Sequence, residues 1–201
     1  MRSVLGTAAF LLLLGSASAV PRKVVSVGAP AINCVFDPTC KIEVALTTPH
    51  IPLPVSGPNI FESRTFAGVA GAPANGLCAY MYRIDLSYAL AMVRKPCIAS
   101  FTIDFGPVVS TLDFDGDGTP DQVFVVTSGG LGKIGIVSAE QTGNAITFTL
   151  AEPLCSGGPL SHGQSSLFVG LVSKKEAVLS VGRVKETDGT VHRVEVRVPR
   201  K

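Results

Sequence analysis

From Asp113 to Asp121 the chain reads Asp-Phe-Asp-Gly-Asp-Gly-Thr-Pro-Asp, with carboxylates at Asp113, Asp115, Asp117 and Asp121 and glycines at 116 and 118. Carboxylates packed this densely repel one another, and a hard cation relieves the repulsion. Calcium suits such an all-oxygen set, because it takes six to eight oxygens at ~2.3–2.6 Å in flexible geometry. Gly116 and Gly118 permit the tight winding that turns alternate oxygens inward. An EF-hand is a poor match. Its loop needs a bidentate Glu at the twelfth position, where this chain has Phe124, and the segment that follows, Gln122 to Thr127, is β in character rather than helical.

The spacing of Asp113, Asp115, Asp117, Gly118 and Asp121 resembles the DxDxDGxxD calcium loop of FG-GAP repeats in integrin-like propellers. More distantly it is similar to thrombospondin type 3 and dockerin loops. The resemblance implies a calcium site whose ligands are the side chains of Asp113, Asp115, Asp117 and Asp121 and the carbonyl of Thr119. It covers about a dozen residues in a single copy, whereas a propeller needs several. With a full oxygen shell the ion would be structural, clamping the strand near Thr102–Phe105 to the one that starts at Gln122.

Other chemistry-bearing groups fall short of a catalytic pattern. Ser161-His162-Gly163-Gln164-Ser165-Ser166 lacks the second glycine of a GxSxG elbow. Gly129-Gly130-Leu131-Gly132-Lys133 lacks the Ser/Thr and first glycine of a phosphate loop. Asp85 and Asp104 could form a carboxylate pair for glycoside hydrolysis, but nothing in the sequence places them in a cleft. His50, His162 and His192 are scattered. A non-enzymatic protein is therefore the expectation.

Residues 1–19 read as a secretory signal peptide: Arg2, an apolar run from Ala8 to Leu14, and Ala17-Ser18-Ala19 as an A-x-A cleavage site. The apolar run is shorter than the ~20 residues that span a bilayer. No Cys follows the cleavage site for a lipid anchor. A secreted, extracellular or periplasmic location follows, with no membrane span after cleavage. The whole chain has 17 Lys and Arg against 15 Asp and Glu, and cleavage removes one Arg and no acid. So balanced a charge argues against a nucleic-acid partner.

Export makes disulfides the default for Cys34, Cys40, Cys78, Cys97 and Cys155. Cys34 and Cys40 are near enough to staple the loop around Asp37-Pro38. If successive strands run antiparallel, Cys97 and Cys155 fall at one end of the sheets and Cys78 at the other. Cys34–Cys40 and Cys97–Cys155 are thus the expected pairs, with Cys78 free.

The elements around these residues read as all-β. Val24 to Cys40 suggests a short strand and a small loop, and the Pro-rich stretch from Thr47 to Asn75 mostly extended loop. Strand patterns then recur at 79–86, 98–105, 122–127, 133–138, 145–150 and 166–172. Val178 to Lys185 and Val191 to Val198 form a hairpin around Asp188-Gly189, a pair favoured in type I′ turns. No segment shows convincing helical periodicity. The expectation is an antiparallel two-sheet β-sandwich with a C-terminal hairpin, in which residues 20–75 form an N-terminal strand and extended segment and residues 76–201 the core. The order of Tyr80–Ile84, Phe101–Ile103, Ile146–Phe148 and Gly163–Val169 resembles small exported bacterial sandwich domains, including those with PEP-CTERM sorting tails, although the C-terminal Arg197–Lys201 carries no such tail.

The functional expectation is a calcium-stabilised surface, matrix or binding module whose partner is an extracellular protein or glycan. The alternatives are a carbohydrate-active protein, as binding module or hydrolase, and an inhibitor or adhesin that uses Ile51 to Asn59.

Overall fold

The computed structural model describes residues 18–201, so the expected signal peptide lies outside the described residues but for its last two positions. The elements are β1 (Val20–Pro21), β2 (Val24–Gly28), α1 (Ala29–Phe36), β3 (Ala45–Thr47), β4 (Val55–Ser56), β5 (Ile60–Ala67), β6 (Cys78–Asp85), β7 (Leu90–Ala91), β8 (Cys97–Asp104), β9 (Val123–Ser128), β10 (Ile136–Thr142), β11 (Ala145–Cys155), β12 (Val169–Ser173), β13 (Ala177–Glu186) and β14 (Val191–Pro199). The chain is all-β in a sandwich arrangement. One sheet has the order β1-β10-β11-β8-β13-β14 and the other β2-β9-β12-β6-β5-β3, while β4 and β7 make a small third ribbon. One pairing is parallel, β2 on β9.

Alternation places the main core between the sheets. Phe101 and Ile103 of β8, Ile146 and Phe148 of β11, and Val194, Val196 and Val198 of β14 face Phe61 of β5 and Tyr80, Tyr82 and Ile84 of β6. Phe101 stacks on Phe148 at 4.8 Å and meets the edge of Phe61 at 5.4 Å. The buried tyrosine hydroxyls are satisfied, Tyr80 donating to the Lys175 carbonyl at 2.7 Å and Tyr82 to that of Arg197 at 2.9 Å. The outer face of the first sheet is mixed: Thr102 and Thr147 are hydrogen-bonded across β8 and β11, while Val137, Leu179 and Val181 stand exposed.

The second sheet is covered on both faces. A second core gathers Phe124 and Val126 of β9, Ala79 and Met81 of β6, Phe66 of β5, Ile32 and Phe36 of α1, and Leu112 and Phe114 of the acidic loop. This explains why β9 reads as a continuous apolar run instead of alternating.

Four local expectations need correction. Where the sequence suggests strand and loop, residues 29–36 form a helix. Two turns give too little periodicity to read, yet Pro30 lies in the first turn, where its missing N–H leaves no bond unmade, and Ile32 and Phe36 lie four apart on the buried side. Within the stretch expected to be loop, β5 is a largely buried strand paired with β6 over its whole length. Pro52, Pro54, Pro58 and Pro73 flank it without entering it. The strands expected from Lys133 and Ser166 start at Ile136 and Val169. The last hairpin is not type I′: of its turn residues only Gly189 has positive φ, at 92°. Gly189 N–H donates to Glu186 O at 3.1 Å and Glu186 N–H to Thr190 O at 2.8 Å, the pattern of a type I turn closed by a glycine bulge.

The disulfides are Cys34–Cys40 and Cys97–Cys155, and Cys78 is free. Cys97 and Cys155 face each other across neighbouring β8 and β11. Among the described residues, no helix is long and apolar enough to cross a membrane.

Candidate metal-binding loop

The acidic loop is fixed at its base before any ion is considered. Asp121 N–H donates to Leu112 O at 2.7 Å, and the two residues form an isolated antiparallel bridge. Leu112 and Phe114 are buried beneath the loop, with Phe114 against Phe124 at 4.9 Å in an edge-to-face contact. The alternation Leu112, Phe114 sends the apolar side chains inward and leaves Asp113, Asp115 and Asp117 toward solvent.

The loop is wound by its own carboxylates. Asp113 accepts the Gly116 N–H and the Gly118 N–H, both at 2.7 Å, one on each oxygen. Asp115 accepts the Asp117 N–H at 3.2 Å. Asp117 accepts the N–H of Thr119 at 2.7 Å and its hydroxyl as well. Gly116 and Gly118 have φ of 81° and 85°, a left-handed conformation that a side chain would strain. The N–H of Gly118, then that of Gly116, hold the Asp113 carboxyl below the usual carboxylate range. The Thr119 hydroxyl, then its N–H and the Lys23 charge, do the same for Asp117.

Asp113, Asp115 and Asp117 each bring an oxygen within 4.8 Å of the other two, and this cluster could hold a metal ion. Oxygens on one ion at calcium's bond length lie at most ~4.6–5.2 Å apart, so each pairwise separation is compatible with a shared ion. Asp121 is placed apart from the cluster. It is fully buried, and its Oδ2 accepts the Phe114 N–H at 2.8 Å. Its Oδ1 has no hydrogen bond but lies 2.8 Å from Lys23 Nζ, an ion pair by distance.

Lys23, just before β2, has no counterpart in the sequence reading. Its Nζ also donates to Thr119 Oγ1 at 2.7 Å and lies 3.6 Å from Asp117. Asp121, followed by Asp117 and Asp115, raises the ammonium's pKa. No local signal joins residues 23 and 121, which meet only because β2 pairs with β9 and starts where the loop ends. Thus Lys23 compensates one side of the loop, and the three clustered aspartates carry the remaining negative charge. Thr119 is drawn into the same place through its hydroxyl.

Compared with known proteins, the chain matches no family model, no curated protein and no solved structure. The likeness to FG-GAP, thrombospondin type 3 and PEP-CTERM proteins therefore stands on the quoted residues alone.

The remaining groups weighed in the sequence lie apart. Asp85 pairs with Arg83 at 3.1 Å and accepts the Ser87 N–H, whereas Asp104 pairs with Lys201 on the other sheet. Buried Arg83 also bonds Glu62, which bonds Arg64 in turn, and both guanidiniums lie over the Phe168 ring. His192 bonds the buried Glu186, which Arg94 also clamps from the loop before β8. Desolvation, then the Glu176 charge, raises the pKa of the free Cys78 thiol, leaving little thiolate. His162 lines a groove beside Tyr88.

Proposed function

We propose that this chain is an exported, non-enzymatic β-sandwich whose acidic loop binds calcium as a structural ion, and that it serves as a surface, matrix or binding module for an extracellular protein or glycan. The observation that carries the reading is the convergence of Asp113, Asp115 and Asp117 on one point of a loop already anchored in the core. Hard, all-oxygen donors favour calcium over softer metals, and exposed carboxylates with weak affinity suffice where calcium is millimolar. Asp115 and Asp117 are exposed, so water completes the shell in place of the buried Asp121. Export is supported by the leader composition, and two disulfides suit an oxidising compartment.

Calorimetric titration of the mature protein tests it. One calcium site is expected, with magnesium binding more weakly because its smaller shell demands near-ideal octahedral geometry. Absence of calcium heat at millimolar concentration, or equal loss to both ions, would remove the metal from the proposal.

A further inference from the structure

We infer that a groove at one end of the sandwich, centred on Tyr88, is a binding site for a neutral pyranose glycan. This deepens the binding-module reading and rests on it, but it does not depend on calcium. The groove has a volume of about 560 Å³ and lies between the turn after β6, the segment before β10 and the loop after β11. Four residues with polar side chains of different kinds are among those that line it: Lys133, Glu152, His162 and Gln164.

The groove is built from backbone. A Cβ on Gly163 would lie 1.9 Å from the Leu86 carbonyl oxygen, and one on Gly132 1.9 Å from that of Ser166. Neither position can carry a side chain, so the walls meet as bare chain. Leu86 N–H donates to Gln164 O at 2.9 Å, Gly163 N–H to Ser87 O at 3.1 Å and Lys133 N–H to Ser165 O at 3.0 Å. The neck of the 156–163 loop is closed twice. Gln164 N–H donates to Cys155 O at 3.0 Å, and Gln164 Oε1 accepts the Cys155 N–H at 2.7 Å. Cys155 is itself tied to Cys97. A site held this way loses little freedom on binding.

The lining chemistry selects the ligand. Tyr88 is 67% exposed, whereas Tyr80 and Tyr82 are fully buried. The His162 and Tyr88 rings lie nearly perpendicular with centroids 6.2 Å apart, and both residues line the groove, so it carries an aromatic wall. An aromatic face suits the apolar C–H face of a pyranose, as it combines a flat apolar body with a polar tip. Hydroxyls need both donors and acceptors around that ring. Gln164 spends its oxygen on Cys155 and keeps its amide hydrogens, Lys133 donates, and Glu152 accepts. Among the described residues, the side chains of Lys133, Glu152 and His162 have no hydrogen-bonded or ionic partner. One ammonium and one carboxylate leave the groove near neutral, which favours an uncharged sugar over a uronate or phosphate. A fatty ligand would leave these polar groups desolvated and unpaired.

The test is a titration of the mature protein with cellohexaose, mannohexaose and chitohexaose, and with oligogalacturonate for comparison, followed by amide NMR and calorimetry with and without calcium. At least one neutral hexasaccharide is expected to saturate and to shift Gly132, Gly163 and Gln164. Tyr88→Ala should weaken it about tenfold or more with an unchanged melting temperature. Glu152→Gln should weaken it without altering the amide spectrum elsewhere. Failure of every neutral sugar to saturate, tightest binding by oligogalacturonate, or undiminished binding by Tyr88→Ala overturns the inference. Because calorimetric calcium binding is read separately, either reading can fail alone.

Discussion

At the scale of single residues, the acidic loop organises itself through carboxylate-to-backbone bonds, and these make it sensitive to acid. The carboxyls of Asp113 and Asp117 are held below the ordinary range, by Gly118 and Thr119 first of all. A folded-state pKa below the unfolded ~3.9 means that the stabilisation is complete above that value and fades as pH falls through the lowered one. Amide NMR across the acid range is expected to show Gly116, Gly118 and Thr119 shifting with midpoints below ~3.9. Midpoints at or above it would mean that the bonds are not held in solution. Asp113, Asp115 and Asp117, the three that the structure brings together, are legible from spacing alone, since alternation and glycine placement are local facts. Asp121 is the exception: its burial and its contact with Lys23 depend on a strand almost a hundred residues away, which no local pattern encodes.

At the scale of elements, β9 and β12 support the loop through one aromatic. Gly170 of β12 pairs with Phe124 of β9, and a Cβ on Gly170 would lie 2.0 Å from the Phe124 ring. Phe124 in turn supports Phe114. Gly170→Ala is therefore expected to destabilise the protein by ~1–3 kcal/mol through overpacking and to weaken calcium binding, as read by denaturant melts and calorimetry. The disulfides act on elements too. Cys97–Cys155 spans 58 residues and Cys34–Cys40 spans six, and loop-closure entropy assigns them about 4 and about 2 kcal/mol. Replacing both cysteines of the longer bridge by Ala should thus cost roughly twice as much stability in urea melts as replacing those of the shorter. Apart from the two-residue β7, the strands from β6 onward could be read, from alternation, from turn residues or, for β9, from a continuous apolar run. The short helix α1 could not, nor could β5, masked by prolines on either side. The type I turn at Asp188-Gly189 was also hidden, because Asp-Gly suits more than one hairpin geometry.

At the scale of the whole molecule, the sandwich is asymmetric. One sheet leaves its outer face open to solvent, while the other is covered on its outside by α1 and the acidic loop. The loop is thus the lid of a second core, and an ion that holds it should stabilise the fold rather than merely decorate the surface. An ion that binds only the folded state adds RT ln(1 + [L]/Kd), or ~2.7 kcal/mol at a hundredfold excess over Kd, a shift of roughly 5–10 °C for a domain of this size. The most direct measurement is the melting temperature of the mature protein in chelator and in millimolar calcium, beside the variant carrying Asp115→Ala and Asp117→Ala. We expect the wild type to rise by several degrees with calcium and the variant to show no response. Identical melting of the wild type in chelator and in calcium would contradict a structural ion in the loop.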